Sequence, residues 1–237
     1  VELEAAHPEL VTLDSPTQRV GGSPLSSFDQ VPHDPPMLSL DNTYDEKDVR
    51  AWEERVRKGL GGEPVSFVCE AKIDGVAVAL TYADGVLAQG STRGDGNVGD
   101  DITANLRTVR NIPLRLSAAA PPRLEVRGEV YMTREGLSRL NRRREEEGLP
   151  LFANPRNATA GTLKLLDPRE VARRPLAAWF YYIVEGAEEV ATQYDVLHLL
   201  ATWGFAVNPH HRLCADISGV LAFYREVEAA RKELPYN

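Results

Sequence analysis

Residues 69–80 of the chain, CEAKIDGVAVAL, carry charges in a segment that otherwise has the composition of an interior β-strand. Glu70, Lys72 and Asp74 stand at every second position, and side chains two residues apart on a strand share a face. The valines and alanines that follow are typical of a buried strand. Gly75 removes a side chain where a ligand or another backbone could approach closely. We therefore expect a charged face with a chemical purpose.

Lys72 has two chemically distinct interpretations. A lysine on a strand is ordinarily solvated, but a buried lysine beside carboxylates could form a structural ion pair or act as a nucleophile. Free lysine has a pKa of about 10.4, so only about one in a thousand is neutral at pH 7. A nucleophilic lysine therefore needs burial or nearby cations, and adjacent carboxylates alone oppose it. A phosphate-bearing substrate with a divalent metal ion would supply that change of charge.

The composition is that of an ordinary globular protein. The chain has 237 residues, of which 43% are hydrophobic and 26% charged, which suits one large domain or two small ones. No apolar run approaches the roughly eighteen residues of a membrane span, and no signal peptide opens the chain. Cys69 and Cys214 share no metal-ligand spacing, so we expect neither a disulfide framework nor a zinc site within this chain. These features predict a reducing, cytoplasmic location without membrane attachment.

Charge is unevenly distributed along the chain. The net charge of −8 argues against a dedicated nucleic-acid-binding domain, since such domains are usually basic. Arginines nevertheless cluster at residues 142–144 and 173–174. Because three glutamates directly follow the first cluster, a solvated helix face is the simpler interpretation.

Periodicity and turn residues predict an α+β chain. We expect strands at residues 66–71, 76–83, 86–93, 123–132 and 177–186. We expect helices at residues 45–62, 102–109, 133–148, 194–204 and 217–234, and one that begins after Pro155. Asp84-Gly85 predicts a tight hairpin turn, and residues 94–101 and 205–213 are interpreted as loops. Frequent hairpins without regular βαβ alternation indicate mainly antiparallel sheets with flanking helices.

Several motifs resemble those of a known enzyme family. Lys72-Ile-Asp74-Gly75 matches the Lys-x-Asp-Gly motif of the covalent nucleotidyltransferases, which include DNA ligases, RNA ligases and mRNA capping enzymes. Four further stretches occur in the order found in bacterial NAD-dependent DNA ligases: MLSLDNTYD (37–45), STRGDGNVGDDIT (91–103), LEVRGEVYM (124–132) and FANPRNATAGTLK (152–164). The similarity runs from end to end and implies a nucleotidyltransferase (ATP-grasp-like) fold.

The resemblance implies roles around the nucleoside for residues that match the family's motifs. Lys72 would be the nucleophile that takes up AMP as a phosphoramidate. Glu70 matches the position that binds the adenine amino group, and Ser39 and Leu40 match positions that line the adenosine pocket. Glu129 matches the carboxylate at the ribose hydroxyls. Carboxylates suit these contacts because they accept hydrogen bonds from hydroxyls and amines.

The other matched residues are implied to act near phosphate. Asp74 is the motif aspartate and is predicted to be catalytic with Lys72. Arg93 matches an arginine that reaches the ribose and phosphate region. Arg156 and Lys164 are implied phosphate or DNA contacts, since guanidinium groups hold phosphates well. Lys164 stands where the family more often has arginine, and lysine keeps the charge but loses the bidentate fork.

The resemblance also predicts organisation, cofactors and partners. Residues 1–28 are expected to be a linker after a helical domain that holds the nicotinamide mononucleotide (NMN) half of NAD, and residues 29–237 an adenylation domain that stops before the family's last lysine motifs. The implied activity is NAD-dependent DNA ligation in replication and repair, and this fragment alone is expected to be inactive. NAD would donate AMP, Mg²⁺ would act transiently near Lys72 and Glu129, and zinc is expected only in other parts of longer members. The partner would be nicked double-stranded DNA, and the protein is expected to be monomeric.

Other functions stay open at this stage. An ATP- or GTP-dependent ligase or a capping enzyme shares Lys-x-Asp-Gly, although the 37–45 and 152–164 stretches favour the NAD family. A non-catalytic nucleic-acid-binding domain of the same fold is expected to lose Lys72 or Glu129, and both are present.

Structural alternatives also remain for single residues. Glu129 could pair with Arg127 or Arg93, and Arg156 could simply begin a helix. The GDGNVGD stretch could be a plain hairpin loop or an acidic cation site. The remaining candidates are assigned to ordinary structure: His210-His211 to loop polarity rather than a metal pair, and Trp179 and Tyr181-Tyr182 to sheet core rather than a base-stacking platform.

Overall fold

The structure, a computed structural model, describes residues 4, 6–12, 14–20, 24–117 and 119–237. The chain divides into two compact units. Unit 1 comprises Val1–Met37, Ile73–Val207 and Pro235–Asn237, and unit 2 comprises Leu38–Lys72 and Asn208–Leu234. The expected linker, residues 1–28, falls partly on residues outside the described part.

The strands and helices of the described residues are as follows. The strands are β1 (Gln30–Pro32), β2 (Phe67–Glu70), β3 (Val76–Ala83), β4 (Val86–Thr92), β5 (Val98–Asp100), β6 (Arg123–Met132), β7 (Leu176–Glu185) and β8 (His211–Cys214). The α-helices are α1 (Glu46–Gly59), α2 (Thr103–Arg107), α3 (Arg134–Glu146), α4 (Pro155–Leu163), α5 (Pro168–Ala172), α6 (Gln193–Trp203) and α7 (Ile217–Ala230). Short 3₁₀ helices span Pro8–Leu10 and Pro16–Val20.

A four-stranded antiparallel sheet in the order β4-β3-β6-β7 forms the framework of unit 1. β3 and β4 are joined by Asp84 and Gly85, whose φ angles of 49° and 74° are both left-handed. A two-residue turn with that backbone matches the twist of the strands it joins, so the predicted hairpin is confirmed. Every strand pair in the described residues is antiparallel, which confirms the predicted fold class.

One face of this sheet carries the core of unit 1. Because side chains alternate between faces, Leu80 of β3, Val126 of β6 and Phe180 of β7 point to the same side, and each is fully buried. The packing helices bring in Leu106 and Leu200, which are also fully buried in this cluster. The other face carries charged, small and aromatic side chains, among them Glu129, Ala77 and Trp179.

The loop expected at residues 94–101 contains a strand. Asp95 accepts backbone hydrogen bonds from Asn97 and Val98 at 2.8 and 2.9 Å, and these bonds lower the pKa of its carboxyl group. Gly94 takes a φ of 56°, and a Cβ there would lie 1.7 Å from the carbonyl oxygen of Val98. The glycines therefore close a tight turn, and the chain beyond it forms β5, which pairs with β1.

Unit 2 is built on the pair β2–β8, which packs against α7. Phe67, Cys214 and Phe223 form its buried cluster. The predicted helix α1 is confirmed, with Asp45 as N-cap accepting from the Asp48 N–H at 2.8 Å. Residues 205–213 were interpreted wholly as loop, which is wrong for the three residues of that range that belong to β8.

The predicted helices of unit 1 are confirmed, with one addition. Thr133 caps α3 by accepting from the Gly136 N–H at 3.0 Å, and Asn154 caps α4 by accepting from Asn157 at 2.8 Å. The sequence analysis missed α5, whose five residues are too few to show a helical repeat.

Two further observations concern the cysteines and membrane association. Cys69 and Cys214 are free thiols with their Sγ atoms 3.7 Å apart, and burial, followed by the contact with Cys214, raises the pKa of Cys69 to about 12. Among the described helices, none combines the length and the apolar character that crossing a bilayer requires.

Leu80 tests the core assignment. Leu80→Ala should lower the free energy of unfolding by about 2–5 kcal/mol, because it removes a fully buried side chain and leaves a cavity. The matched control is Leu151→Ala, since Leu151 is 55% exposed, and surface substitutions usually change stability by less than about 0.5 kcal/mol. Urea unfolding measures both variants. Equal midpoints for the two would contradict the core described above.

Candidate active site

The segment that carries Lys72 is not one continuous strand. β2 ends at Glu70 and β3 begins at Val76, and the two strands belong to different sheets. Between them the Ala71 N–H donates to the His210 carbonyl at 3.0 Å and the Asp74 N–H donates to the Asn237 carbonyl at 2.8 Å. These bonds lie outside any strand ladder, so the expectation of three charges on one strand face is wrong.

Lys72 itself is exposed, whereas the sequence predicted an interior position. It is the last residue of its segment in unit 2, and Ile73 is the first of its segment in unit 1. The neighbouring Ile73 is buried, with 7% of its surface exposed. The apolar sequence around Lys72 therefore reflects the burial of Ile73 and not of the lysine itself.

Gly75 brings the Lys-x-Asp-Gly motif against strand β6. Its backbone N–H donates to Oε1 of Glu129 at 3.2 Å. A Cβ atom at this position would lie 2.2 Å from the carbonyl oxygen of Val130 and 2.9 Å from Cγ of Glu129. Only glycine can occupy the position without moving β6, which confirms the close backbone approach expected from the sequence.

Glu129 lies in a row that crosses the sheet on the face opposite the core. Ala77 of β3 pairs with Glu129, and Glu129 pairs with Trp179 of β7. On the far side of Ala77, the Arg93 N–H donates to the Ala77 carbonyl at 3.2 Å. Cross-strand partners share a face, and neighbouring strands are about 4.8 Å apart. The Cα atoms of Arg93 and Glu129 are therefore separated by roughly 10 Å, with only a methyl group between them.

The acidic member of this row is held within the protein. Glu129 is buried, with 8% of its surface exposed. A buried carboxylate is stable only where donors compensate for its lost hydration, and the Gly75 N–H is one such donor. A carboxylate fixed in this way suits the binding of ligand hydroxyls, because it pays little further entropy to become ordered.

Arg127 binds the segment that contains Pro35 and Pro36 to the same face of the sheet. The sequence analysis considered this arginine only as a partner of Glu129. Its Nη1 donates to the Pro36 carbonyl at 3.1 Å, and its Nη2 donates to the Pro35 carbonyl. Its guanidinium carbon lies 6.0 Å from the centre of the Tyr182 ring. No hydrogen-bond partner of its Nε is present among the described residues. Sequence spacing gave no signal for this role, because the two prolines lie about ninety positions away.

The aromatic residues of β7 were assigned to the sheet core, and this is wrong for Trp179 and Tyr182. Trp179 stacks on Tyr131 with ring centroids 5.9 Å apart and planes at 14°, and Tyr182 is 45% exposed. A bulge in the β6–β7 pairing inserts Tyr181, so Tyr182 returns to the face that Trp179 occupies. Burial raises the pKa of Tyr131 to about 12, so its hydroxyl stays protonated at neutral pH.

Arg156 and Lys164 each form an ion pair, but with different partners. Nη1 of Arg156 donates to Oδ1 of Asp74 at 3.0 Å, and both side chains are about half exposed. Nζ of Lys164 lies 3.6 Å from Oδ2 of Asp100 on β5. The structure thus joins Arg156 to the Lys-x-Asp-Gly motif, and it joins Lys164 to strand β5.

The predicted residues of unit 2 lie on two segments. Glu70 ends β2 and pairs with His211 of β8 in the strand ladder, so it stands on regular structure directly before the Lys72 connection. Ser39 and Leu40 lie in an irregular segment that precedes α1, and Leu40 is 81% exposed. His211, assigned to a loop from the sequence, belongs to β8, and its Nδ1 lies 2.7 Å from the Asn208 carbonyl oxygen.

The donor atoms needed for a resident metal ion are not gathered in the described part of the chain. No group of three or more His, Cys, Asp or Glu side chains there could hold a metal ion. These residues therefore do not fit a protein-bound Mg²⁺ centre, which requires several oxygen ligands in near-octahedral geometry.

Comparison with known proteins agrees with the motif order and the fold. The family model described as the NAD-dependent DNA ligase adenylation domain matches residues 25–237. The chain belongs to this family. A second model, the DNA ligase-like N-terminal NAD⁺-binding domain, matches residues 1–21. The family resolves the choice left open above between NAD-dependent ligases and the enzymes that use ATP or GTP.

Curated relatives match the chain over its whole length. The chain is 52% identical over 240 residues to a protein named DNA ligase from Symbiobacterium thermophilum, and the match covers 100% of this chain and 36% of that protein. It is 52% identical over 242 residues to a DNA ligase from Geotalea uraniireducens, with 36% of that protein covered. For a DNA ligase from Thermotoga petrophila the identity is 52% over 237 residues, with 34% covered. The adenylation-domain chain thus spans about a third of the length of these relatives.

Gly75 tests the packing of the adenylation-domain motif. Gly75→Ala should lower the free energy of unfolding by about 1–3 kcal/mol, because the added methyl group meets the Val130 carbonyl and Cγ of Glu129. The matched control is Gly59→Ala, since no atom lies within 4 Å of a Cβ built there, and alanine suits a helix better than glycine. Urea unfolding compares the two variants. If Gly75→Ala were as stable as the control, the motif would not lie against β6 as described.

Proposed function

We propose that this adenylation domain transfers AMP from NAD through a covalent intermediate on Lys72. The observation that supports the proposal best is the hydrogen bond from the Gly75 N–H to Glu129. It joins two family motifs that lie 54 positions apart, one matching the nucleophile motif and the other the ribose-binding carboxylate. A chain that kept the fold for structural reasons alone would not need a buried carboxylate at this point.

The proposed first step is an in-line displacement at phosphorus. Nζ of Lys72, as the free amine, attacks the α-phosphorus of NAD. A P–N bond forms, the P–O bond to NMN breaks, and NMN leaves with the electron pair of that bond. The proton lost from the amine passes to solvent, and lysyl-AMP remains on the protein. The exposed position of Lys72 leaves its amine accessible to a substrate.

The proposed nucleoside contacts follow from the chemistry of the side chains. Glu70 would accept from the adenine amino group, and Ser39 and Leu40 would line the adenosine. Glu129 would accept from the ribose hydroxyls, since carboxylates are strong acceptors. Arg93 would reach the ribose and the phosphate. The alanine between Arg93 and Glu129 supports this assignment, because a small residue leaves room for a ligand above the sheet.

Arg156 and Lys164 are proposed phosphate or DNA contacts. The pair between Arg156 and Asp74 is about half exposed on both sides, and exposed pairs contribute only about 0–1 kcal/mol. Arg156 can therefore exchange Asp74 for a phosphate at small cost. Asp74 is proposed to act with Lys72 by holding Arg156 near the motif until the substrate binds.

We propose that Mg²⁺ enters the site bound to the phosphates of the substrate. In nucleotide sites this ion is often bound through phosphates and water with only one or two carboxylates, which is compatible with the absence of a donor cluster in the described residues. No step above depends on it. Zinc is proposed only for regions of relatives outside the length matched here.

The later steps, the partner and the organisation are proposed from the family. AMP would pass to the 5′-phosphate of nicked double-stranded DNA, and the 3′-hydroxyl would then displace AMP and seal the strand. We propose a monomer, because the matched motifs all lie within the one chain, and a reducing cytoplasmic location, which suits the two free thiols. Residues 1–28 are proposed as the linker and 29–237 as the adenylation domain.

Lys72 provides the direct test of the proposal. In the full-length gene product incubated with NAD and Mg²⁺, Lys72→Ala should abolish the gain of one AMP seen by intact-mass spectrometry, because the nucleophile is gone. The matched control is Lys58→Ala, since Lys58 is also an exposed lysine of unit 2, and it should take up AMP normally. Adenylate uptake that survived in Lys72→Ala would overturn the mechanism.

Arg156 tests the phosphate contact separately from stability. Arg156→Ala should slow adenylate transfer or sealing by about 10- to 100-fold, the loss expected for a charged hydrogen bond of 1.5–3 kcal/mol, while unfolding changes by less than about 1 kcal/mol. Arg169→Ala is the control, because Arg169 is 56% exposed and pairs with Asp167 as Arg156 pairs with Asp74. Single-turnover rates on nicked DNA distinguish them. Equal rates for the two variants would remove Arg156 from the site.

A further inference from the structure

Three of the five arginines in the clusters at residues 142–144 and 173–174 line one cleft, namely Arg143, Arg173 and Arg174. Unit 1 contains a cleft of about 480 Å³, and five of the twelve described residues that line it are arginines while none is acidic. The five are Arg110, Arg139, Arg143, Arg173 and Arg174. In a chain with a net charge of −8, such a concentration of one sign creates a strong local positive potential.

The local carboxylates neutralise only part of this charge. Arg139 pairs with Glu135, and Arg173 pairs with Glu170. Arg110 is different, because its guanidinium has no hydrogen bond or ion pair with any residue that the structure describes, and the same holds for Arg143. Both are exposed, so they can meet a ligand without prior rearrangement.

Arg174 is a lining residue of the same cleft, and it is half-buried. Its Nη1 donates to Oγ1 of Thr162 at 3.0 Å. Burial, followed by repulsion from Arg144, lowers the pKa of the Arg174 guanidinium. The Arg174 guanidinium therefore lies within the electrostatic influence of a second arginine, while Glu170 and Glu147 act in the opposite sense.

The length of the cleft favours a chain of phosphates over a single anion. Thr133, the N-cap of α3, lines it together with Arg143, ten positions later on the same helix. At 1.5 Å per residue the two are about 15 Å apart. One strand of DNA carries a phosphate for about every 3.4 Å of axis, so roughly four phosphates fit that length. Guanidinium forks match phosphate oxygens in pairs.

We propose that this arginine cleft binds the phosphate backbone of the nicked DNA at a place separate from the residues that receive the nucleotide. The inference rests on the proposed function for its DNA substrate. The contact is independent of base sequence, because guanidinium groups on phosphate carry no sequence information. The chain and the DNA both carry net negative charge, so this local positive contact favours binding. Counterions released from the phosphates strengthen the binding.

The test removes the two arginines that lack partners. Arg110→Ala/Arg143→Ala in the full-length gene product should weaken binding of nicked duplex DNA at low salt. Because log K falls with log salt in proportion to the phosphates neutralised, the slope should become shallower by about 1.8, or about 0.9 per arginine. The matched control is Arg55→Ala/Arg142→Ala, two exposed arginines outside the cleft, which removes the same charge and should leave the slope near that of the parent.

The outcomes separate this inference from the proposed function. Fluorescence anisotropy with labelled nicked DNA measures binding, and adenylate uptake from NAD is measured on the same preparations and should be unchanged in both double variants. Equal slopes for the cleft and control variants would overturn the cleft as a DNA site. Pyrophosphate binding that needs Arg110 and Arg143, with DNA affinity unchanged, would also overturn it in favour of a small-anion site. If the parent protein took up no AMP, the proposed role of Lys72 would be rejected. The cleft would be unaffected by that result, because anisotropy measures DNA binding separately.

Discussion

The contact between Gly75 and Glu129 is the constraint on which the candidate site depends. It consists of one hydrogen bond of 3.2 Å and of a backbone approach so close that a Cβ would lie 2.2 Å from the Val130 carbonyl. The bond satisfies a buried carboxylate, and the close approach fixes where the Lys-x-Asp-Gly segment enters the four-stranded sheet. The rest of the row across the sheet, from Arg93 to Trp179, is then positioned by ordinary strand pairing.

Much of the fold could be predicted from the sequence, because the long elements carry their own signals. β6 was expected at residues 123–132 and is found there, since its length and alternation leave little ambiguity. The hairpin at Asp84-Gly85 follows from local turn chemistry. β1, β5 and β8 have only three or four residues, and a strand that short is defined by its partner across the sheet. No window of sequence contains that partner.

The candidate site was predictable by motif but not by geometry. The charges at Glu70, Lys72 and Asp74 were correctly singled out, yet alternation alone suggested one strand where the chain in fact passes from one sheet to another. The placements of Arg127 and Tyr182 could not be inferred, because the first depends on proline carbonyls about ninety positions away and the second on a bulge in the β6–β7 pairing. Likewise, only the fold shows that Arg143, Arg173 and Arg174 line one cleft together with Arg110 and Arg139.

The claim that joins these features is that Lys72 accepts AMP from NAD. The measurement that tests it most directly is the intact mass of the full-length gene product after incubation with Mg²⁺ and either NAD or ATP, followed by addition of NMN. The expected result is a gain of one AMP from NAD alone, reversed by NMN because the displacement at phosphorus runs backwards. A gain from ATP alone, or no gain from either nucleotide in a folded protein, would contradict it.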